Sequence, residues 1–104
     1  MRFYIAGRFH RQASAIFEHI AQDKPAAAHS WLKKLYLRLE RIARIPASGR
    51  VMFGFRRSDI REVFFGNYRI AYRVKADKVL VLAVMHGSRK IRASEVGAAR
   101  DEEE

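Results

Sequence analysis

Cysteine is absent from this chain of 104 residues. Its absence excludes a disulfide scaffold, thiolate metal sites and cysteine nucleophiles, and fits a reducing compartment, so a cytoplasmic location is expected. Long hydrophobic runs are missing too. The strongest, residues 79–85, falls far short of the roughly 20 residues that span a membrane, and no signal-peptide core follows the first charges, so neither export nor a membrane partner is expected. No linker or internal repeat interrupts the pattern. Acidic residues are scarce: 11 against 21 Lys and Arg, and four of the 11 are the last four residues. Those four aside, 21 basic residues face 7 acidic ones, a body charge of +14. Solubility alone needs a net charge of only about 2–8. The surplus implies a polyanionic partner, either nucleic acid, an acidic protein or both.

What is present is globular. Hydrophobic residues make up 49% and aromatics 12%, enough for one domain to bury roughly two thirds of its unfolded surface. The domain is expected over residues 1–96, with 97–104 as an acidic, flexible tail. Residues 2–6 are short, apolar and β-prone. From Phe9 the spacing turns helical, with Phe9, Ala13, Ile16, Phe17 and Ile20 inward and Arg11, Gln12, Glu18 and Gln22 outward. Asp23 is placed to cap a second helix and Pro25 to open it, since a first-turn proline needs no N–H. That helix runs to about Ala43, with Ala28, Trp31, Leu32, Leu35, Leu39 and Ile42 inward. Lys33, Lys34, Arg38, Arg41 and Arg44 lie outward, toward the C-terminal end where cations oppose the helix dipole.

Pro46 and Gly49 stop the helix, and the period becomes two. Val51, Phe53 and Phe55 alternate, residues 56–58 form a turn, and residues 60–65 and 68–74 are strands around a Gly66-Asn67 hairpin turn. Arg69, Ala71 and Arg73 share one face of the second of these; Tyr68, Ile70, Tyr72 and Val74 share the other. Residues 79–85 are apolar on both faces, as a central strand covered by helices requires. The fold class is therefore α+β: an N-terminal strand, then an antiparallel two-helix hairpin packed on one face of a mainly antiparallel four- to five-stranded sheet.

The chemistry left open is narrow. His10, His19, His29 and His86 form no metal-ligand spacing, Gly87-Ser88 lacks a nucleophile-elbow context, and no phosphate-binding glycine loop occurs, so neither metal nor cofactor is expected. Arg61, Arg69 and Arg89 lie on neighbouring or closing segments and are expected to converge on one surface, where guanidiniums grip phosphate or carboxylate. Arg69 and Arg73 have a plainer reading as the solvated side of an amphipathic strand, and Arg61, next to Glu62, shares that plainer reading. His86 serves either as a general acid or base or, more simply, as a strand-end cap bonded to a backbone carbonyl. Tyr68, Tyr72 and Trp31 read first as core.

These residues, taken in order, resemble the RelE/ParE superfamily of type II toxins, most closely the ParE branch. The resemblance rests on Pro25 with Ala27-Ala28, Pro46 with Gly49-Arg50, Arg61-Glu62, Tyr68-Arg69-Ile70 with Tyr72, and the apolar strand running into His86-Gly87 and Arg89. It spans roughly residues 13 to 92. It implies a heteromeric complex with a cognate antitoxin whose acidic, partly disordered end neutralises the toxin, with Trp31, Leu35, Arg61, Arg69 and Arg73 as its contacts. It also implies DNA gyrase as target and no catalysis. Arg89, Lys90 and Arg92 are the candidates for toxicity, on their basic charge and their position where the chain leaves the sheet. The alternative within the superfamily is a ribosome-dependent messenger RNA endonuclease, for which the catalytic set is Arg61, Arg69, His86 and Arg89. The chain beyond His86 offers neither tyrosine nor histidine for proton transfer, which favours the gyrase branch.

Overall fold

A computed structural model describes residues 1–52 and 59–90. The elements run β1 (Arg2–Ile5), α1 (Gly7–Asp23), α2 (Pro25–Arg44), a 3-10 turn (Pro46–Ser48), β2 (Arg50–Val51), β3 (Ile60–Phe65), β4 (Tyr68–Val74) and β5 (Lys78–His86). The expected strand over Phe53 and Phe55, the turn at 56–58, Arg92 and the tail at 97–104 lie outside the described residues.

The five strands form one sheet in the order β1-β5-β4-β3-β2. β1 lies parallel to β5 and the other pairings are antiparallel, so the sheet is mixed. The hairpin turn falls where the sequence places it. Phe65 pairs with Tyr68 across Gly66-Asn67, and Gly66 takes φ +57°, a left-handed angle that glycine accepts without strain.

The two helices are joined by one residue. The Lys24 N–H bonds the Ile20 carbonyl to close α1, while the Lys24 carbonyl receives the Ala28 N–H to open α2. The expected cap at Asp23 is thus corrected: Asp23 ends α1, and Lys24 holds the N-cap position with no side-chain capping bond. Pro25, needing no N–H partner, makes so tight a junction workable.

Phe9 and Ala13 of α1 and Leu35, Leu39 and Ile42 of α2 bury against Ile70 and Tyr72 of β4 and Val79, Val81 and Val84 of β5. Trp31 and Leu32 are half-buried at the margin. The step from Val81 to Val84 breaks the period of two because the ladder is irregular there: Ala71 pairs with Ala83 but Tyr72 pairs with Val81. Beside this irregularity, the Gln12 side-chain oxygen accepts the Val84 N–H at 3.0 Å. Gln12, expected to face outward, turns inward to satisfy that backbone donor.

The face of the sheet away from the helices is also a core. Ile60, Ala71, Leu80, Leu82, Ala83 and Met85 cluster there with Ala6 and Met52, none more than 4% exposed. A solvated face for β4 is corrected accordingly. Burial on both sides is what makes β5 apolar from Val79 to Met85.

Candidate functional site

Alternation divides the arginines between the two faces of the sheet. Arg69 and Arg73 flank Ala71 and share its helix-free side. Arg61 pairs with Tyr72 and lies toward the helices. The expectation that Arg61, Arg69 and Arg89 converge is therefore corrected: a single residue step between Arg61 and Glu62 sends their side chains to opposite faces.

On the helix-free face a polar ladder crosses the sheet. Glu62 of β3, only 5% exposed, is its centre. Its Oε2 accepts from Arg50 Nε at 3.0 Å and its Oε1 from Arg69 Nη1 at 2.9 Å. Arg69 Nη2 in turn donates to the carbonyl of Arg89, just past β5. The turn after β5 is held further by the Gly87 N–H on the Asn67 carbonyl at 2.7 Å and by Arg89 Nη1 on Met85 Sδ at 3.8 Å. Arg50 also lies over the Phe64 ring, 5.0 Å from its centroid. Arg73 is 1% exposed, with Asp59 Oδ2 3.7 Å from its Nε. On this face, guanidinium charge is met by the chain's own carboxylates.

On the helix side the guanidiniums meet carbonyls instead. Arg61 Nη1 donates to the Gly49 carbonyl at 2.7 Å, and Arg38 Nη1 to the Phe64 carbonyl at 2.7 Å, with Arg38 also 5.8 Å from the Phe65 ring centroid. Arg38 and Arg41, with Ile42, Ser48 and Val63, line a cleft of about 150 Å³ between the C-terminal half of α2 and β3. Among the described residues no carboxylate lines it.

Behind this cleft stands a hydroxyl latch. Tyr72 Oη accepts the Gly49 N–H at 2.8 Å and donates to the Pro46 carbonyl at 2.7 Å. It thereby ties the turn after α2 to the middle of the sheet. Burial raises the Tyr72 pKa, against the opposing pull of the Gly49 and Ser48 hydrogen bonds and the nearby Arg61 charge. A Cβ on Gly49 would stand 2.3 Å from Tyr72 Oη and 2.8 Å from the Glu62 carbonyl, so close approach, rather than turn geometry, dictates glycine here.

His86 is exposed and lies edge-on to Tyr68, centroids 6.1 Å apart, on the helix side of the strand. Its Nδ1 is 2.8 Å from Ser88 Oγ and accepts the Ser88 N–H at 3.3 Å. The expected bond to a backbone carbonyl is corrected: the ring caps the turn that follows the strand. Strand alternation also turns His86 away from Arg69, which pairs with Met85. The endonuclease set is thus spread over two faces, its Arg69 already engaged by Glu62.

Among the expected antitoxin contacts, Leu35 is 0% and Arg73 1% exposed; both are corrected to interior residues, one packed in the core and one charged beside Asp59. Trp31 is half-buried, its ring 5.8 Å from that of Tyr68 and 6.1 Å from that of Phe65. Arg61 and Arg69 are half-buried, while Arg89 and Lys90 are exposed. Arg38, Arg41 and Ser48 were missed as site residues because cations near a helix C-terminus are explained by the dipole alone. The signal that finds the two arginines is that no acid stands three or four residues from either of them, so neither has a helical ion-pair partner.

Comparison with known proteins adds two findings. A family described as the ParE toxin of the type II toxin–antitoxin system parDE matches residues 4–91. Among solved structures, the chain is similar to one titled "Chromosomal ParDE TA system from P. aeruginosa", with a TM-score of 0.69 and 13% identity, covering 83% of this chain and 95% of that one. No curated protein sequence matches.

Proposed function

This chain belongs to the ParE toxin family of type II toxin–antitoxin systems, and from that premise we propose that it poisons DNA gyrase in the cytoplasm and is neutralised by a cognate antitoxin. The observation that carries the choice of target is the fate of Arg69. Its guanidinium is committed to Glu62 and to the Arg89 carbonyl, and the histidine that would move a proton lies on the other face. A phosphate-gripping arginine and a general acid or base within hydrogen-bond reach of one substrate are what RNA cleavage needs. This arrangement supports binding without bond breaking.

The antitoxin partner is an acidic protein segment, in keeping with a body charge of +14. Its proposed contacts are Trp31 at the margin of the hairpin and Arg61 in the groove between hairpin and sheet. Arg69 stays internal. Arg89 and Lys90, exposed at the exit from the sheet, are the proposed start of the target-binding segment, with Arg92 beyond them. The ladder from Arg50 through Glu62 and Arg69 to the Arg89 carbonyl fixes where that segment leaves the fold.

The test is a supercoiling assay with purified gyrase. The protein is expected to block supercoiling while leaving ribosome-bound message intact. Codon-specific cleavage of message with supercoiling unaffected would reverse the assignment. Truncation after Gly87 is expected to give a folded, non-toxic chain; retained toxicity would move the target-binding surface elsewhere.

A further inference from the structure

We infer that the cleft between α2 and β3 is a phosphate-binding site that seats the backbone of a nucleic acid. Three guanidiniums stand at or beside it. Arg38 and Arg41 line it, and Arg61 sits next to Ser48, another lining residue, through its bond to the Gly49 carbonyl at 2.7 Å. Each guanidinium has five N–H donors. Arg38 and Arg61 each spend one on a carbonyl, which fixes their orientation without neutralising their charge. The side chain of Arg41 makes no hydrogen bond or ion pair among the described residues.

Size and charge both suit the ligand. About 150 Å³ admits one tetrahedral oxyanion, and three positive charges, with no carboxylate lining the cleft among the described residues, exceed what one partner carboxylate would neutralise. Fork-shaped guanidiniums beside a hydroxyl donor such as Ser48 match phosphate oxygens. The site is not isolated, because Lys33 and Lys34 continue exposed cationic surface along α2 toward its N-terminus. A line of cations along one element is the footprint a polynucleotide leaves. This inference does not depend on gyrase being the target.

The experiment measures binding of a fluorescent 20-base-pair DNA duplex of arbitrary sequence by anisotropy between 50 and 200 mM salt, with inorganic phosphate and polyglutamate as competitors. Wild type is expected to bind with a log–log salt slope of about −3, one unit for each of three phosphate contacts. Arg41→Gln is expected to weaken binding about five- to tenfold and make the slope shallower by about 1, with melting temperature lowered by no more than about 2 °C. Arg38→Gln and Arg61→Gln follow the same trend, and Arg38→Lys recovers charge but only part of the affinity. Inorganic phosphate at millimolar levels should shift the Arg41 Nε–H signal in wild type. The acidic antitoxin segment proposed above reaches Arg61 from the same groove, so competition by polyglutamate is expected; polyglutamate binding that depends on Arg41 while duplex binding does not would make this a carboxylate site and overturn the proposal. So would an unchanged slope in Arg41→Gln, or an equal loss on replacing a cation remote from the cleft such as Lys75, which would mark diffuse attraction.

Discussion

The two faces of the sheet treat arginine in opposite ways. On the helix-free face Arg50 and Arg69 share Glu62, and Arg73 lies against Asp59. On the helix side Arg38 and Arg61 are steered by backbone carbonyls, and Arg41 lines a cleft that no carboxylate enters among the described residues. A carbonyl orients a guanidinium without cancelling its charge, whereas a carboxylate does both. The first group is therefore part of the fold's internal balance, and the second is charge left over for something outside. A chain with a body charge of +14 does not present all of it equally. Which cations are available is decided by where its few acids sit.

The largest effect that would test this division comes from Glu62. Removing one member of a buried ion pair strands the other and costs about 3–5 kcal/mol. Arg50 is 63% exposed and can turn to water, but Arg69 is 13% exposed and cannot do so easily. Glu62→Gln is thus expected to lower stability by about 2–4 kcal/mol in urea unfolding, with the exit from β5 loosening because Arg69 also holds the Arg89 carbonyl. Hydrogen exchange should show faster amides at Gly87 and Arg89. A loss under about 0.5 kcal/mol, the level of an ordinary surface change, would mean the ladder is decorative and the two faces are alike.

The next effect lies at Tyr72, where the two faces meet through Gly49. Tyr72→Phe deletes the hydroxyl that takes the Gly49 N–H and leaves a buried donor without a partner, an expected cost of about 1–3 kcal/mol. Its pH signature has a definite sign. The folded pKa is raised above the usual value of 10.0, so the folded chain holds its phenol proton more tightly than the unfolded one. That contribution is complete below pH 10.0 and is lost as pH climbs from there through the folded value. Wild type should therefore lose stability more steeply than Tyr72→Phe above pH 10.0 in denaturation series. Parallel curves would show that the hydroxyl is not held as the geometry describes.

Much of the architecture was legible in the sequence because its cues are local. Strands over residues 60–65 and 68–74, the turn between them and the twenty-residue second helix follow from period and from Gly66 and Pro25. Site geometry was less legible, for a physical reason. Whether Arg61 and Arg69 meet depends on which face each occupies, and a one-residue step reverses that. Arg69 and Arg73 looked like a solvated stripe because alternation reports that two faces differ but not that both are covered. Glu62 appeared only as a neighbour of Arg61, yet its partners lie one strand away on either side, a relation no linear spacing displays. The pattern around Gln12 points it outward because its inward role depends on an irregularity in β5, seventy-two residues along the chain.

The smallest stability effect should come from the residue expected to matter most for binding, and that inversion is the sharpest form of the comparison. Arg41 is exposed and lies in the last turn of α2. Its stabilising role is limited to the helix dipole, worth about 0.3–1 kcal/mol at low salt and less as salt rises. Arg41→Gln is expected to fall at the bottom of that range, with an unchanged urea slope, while it reduces anion binding severalfold. Arg69→Gln should do the reverse, losing stability through Glu62 with little change in anion affinity. Measuring both quantities for both variants gives a crossed pattern if internal and external charges are separate populations. If the two variants instead lose stability and binding in the same proportion, the sheet's two faces share one electrostatic role, and a carboxylate partner does not by itself mark an arginine as structural.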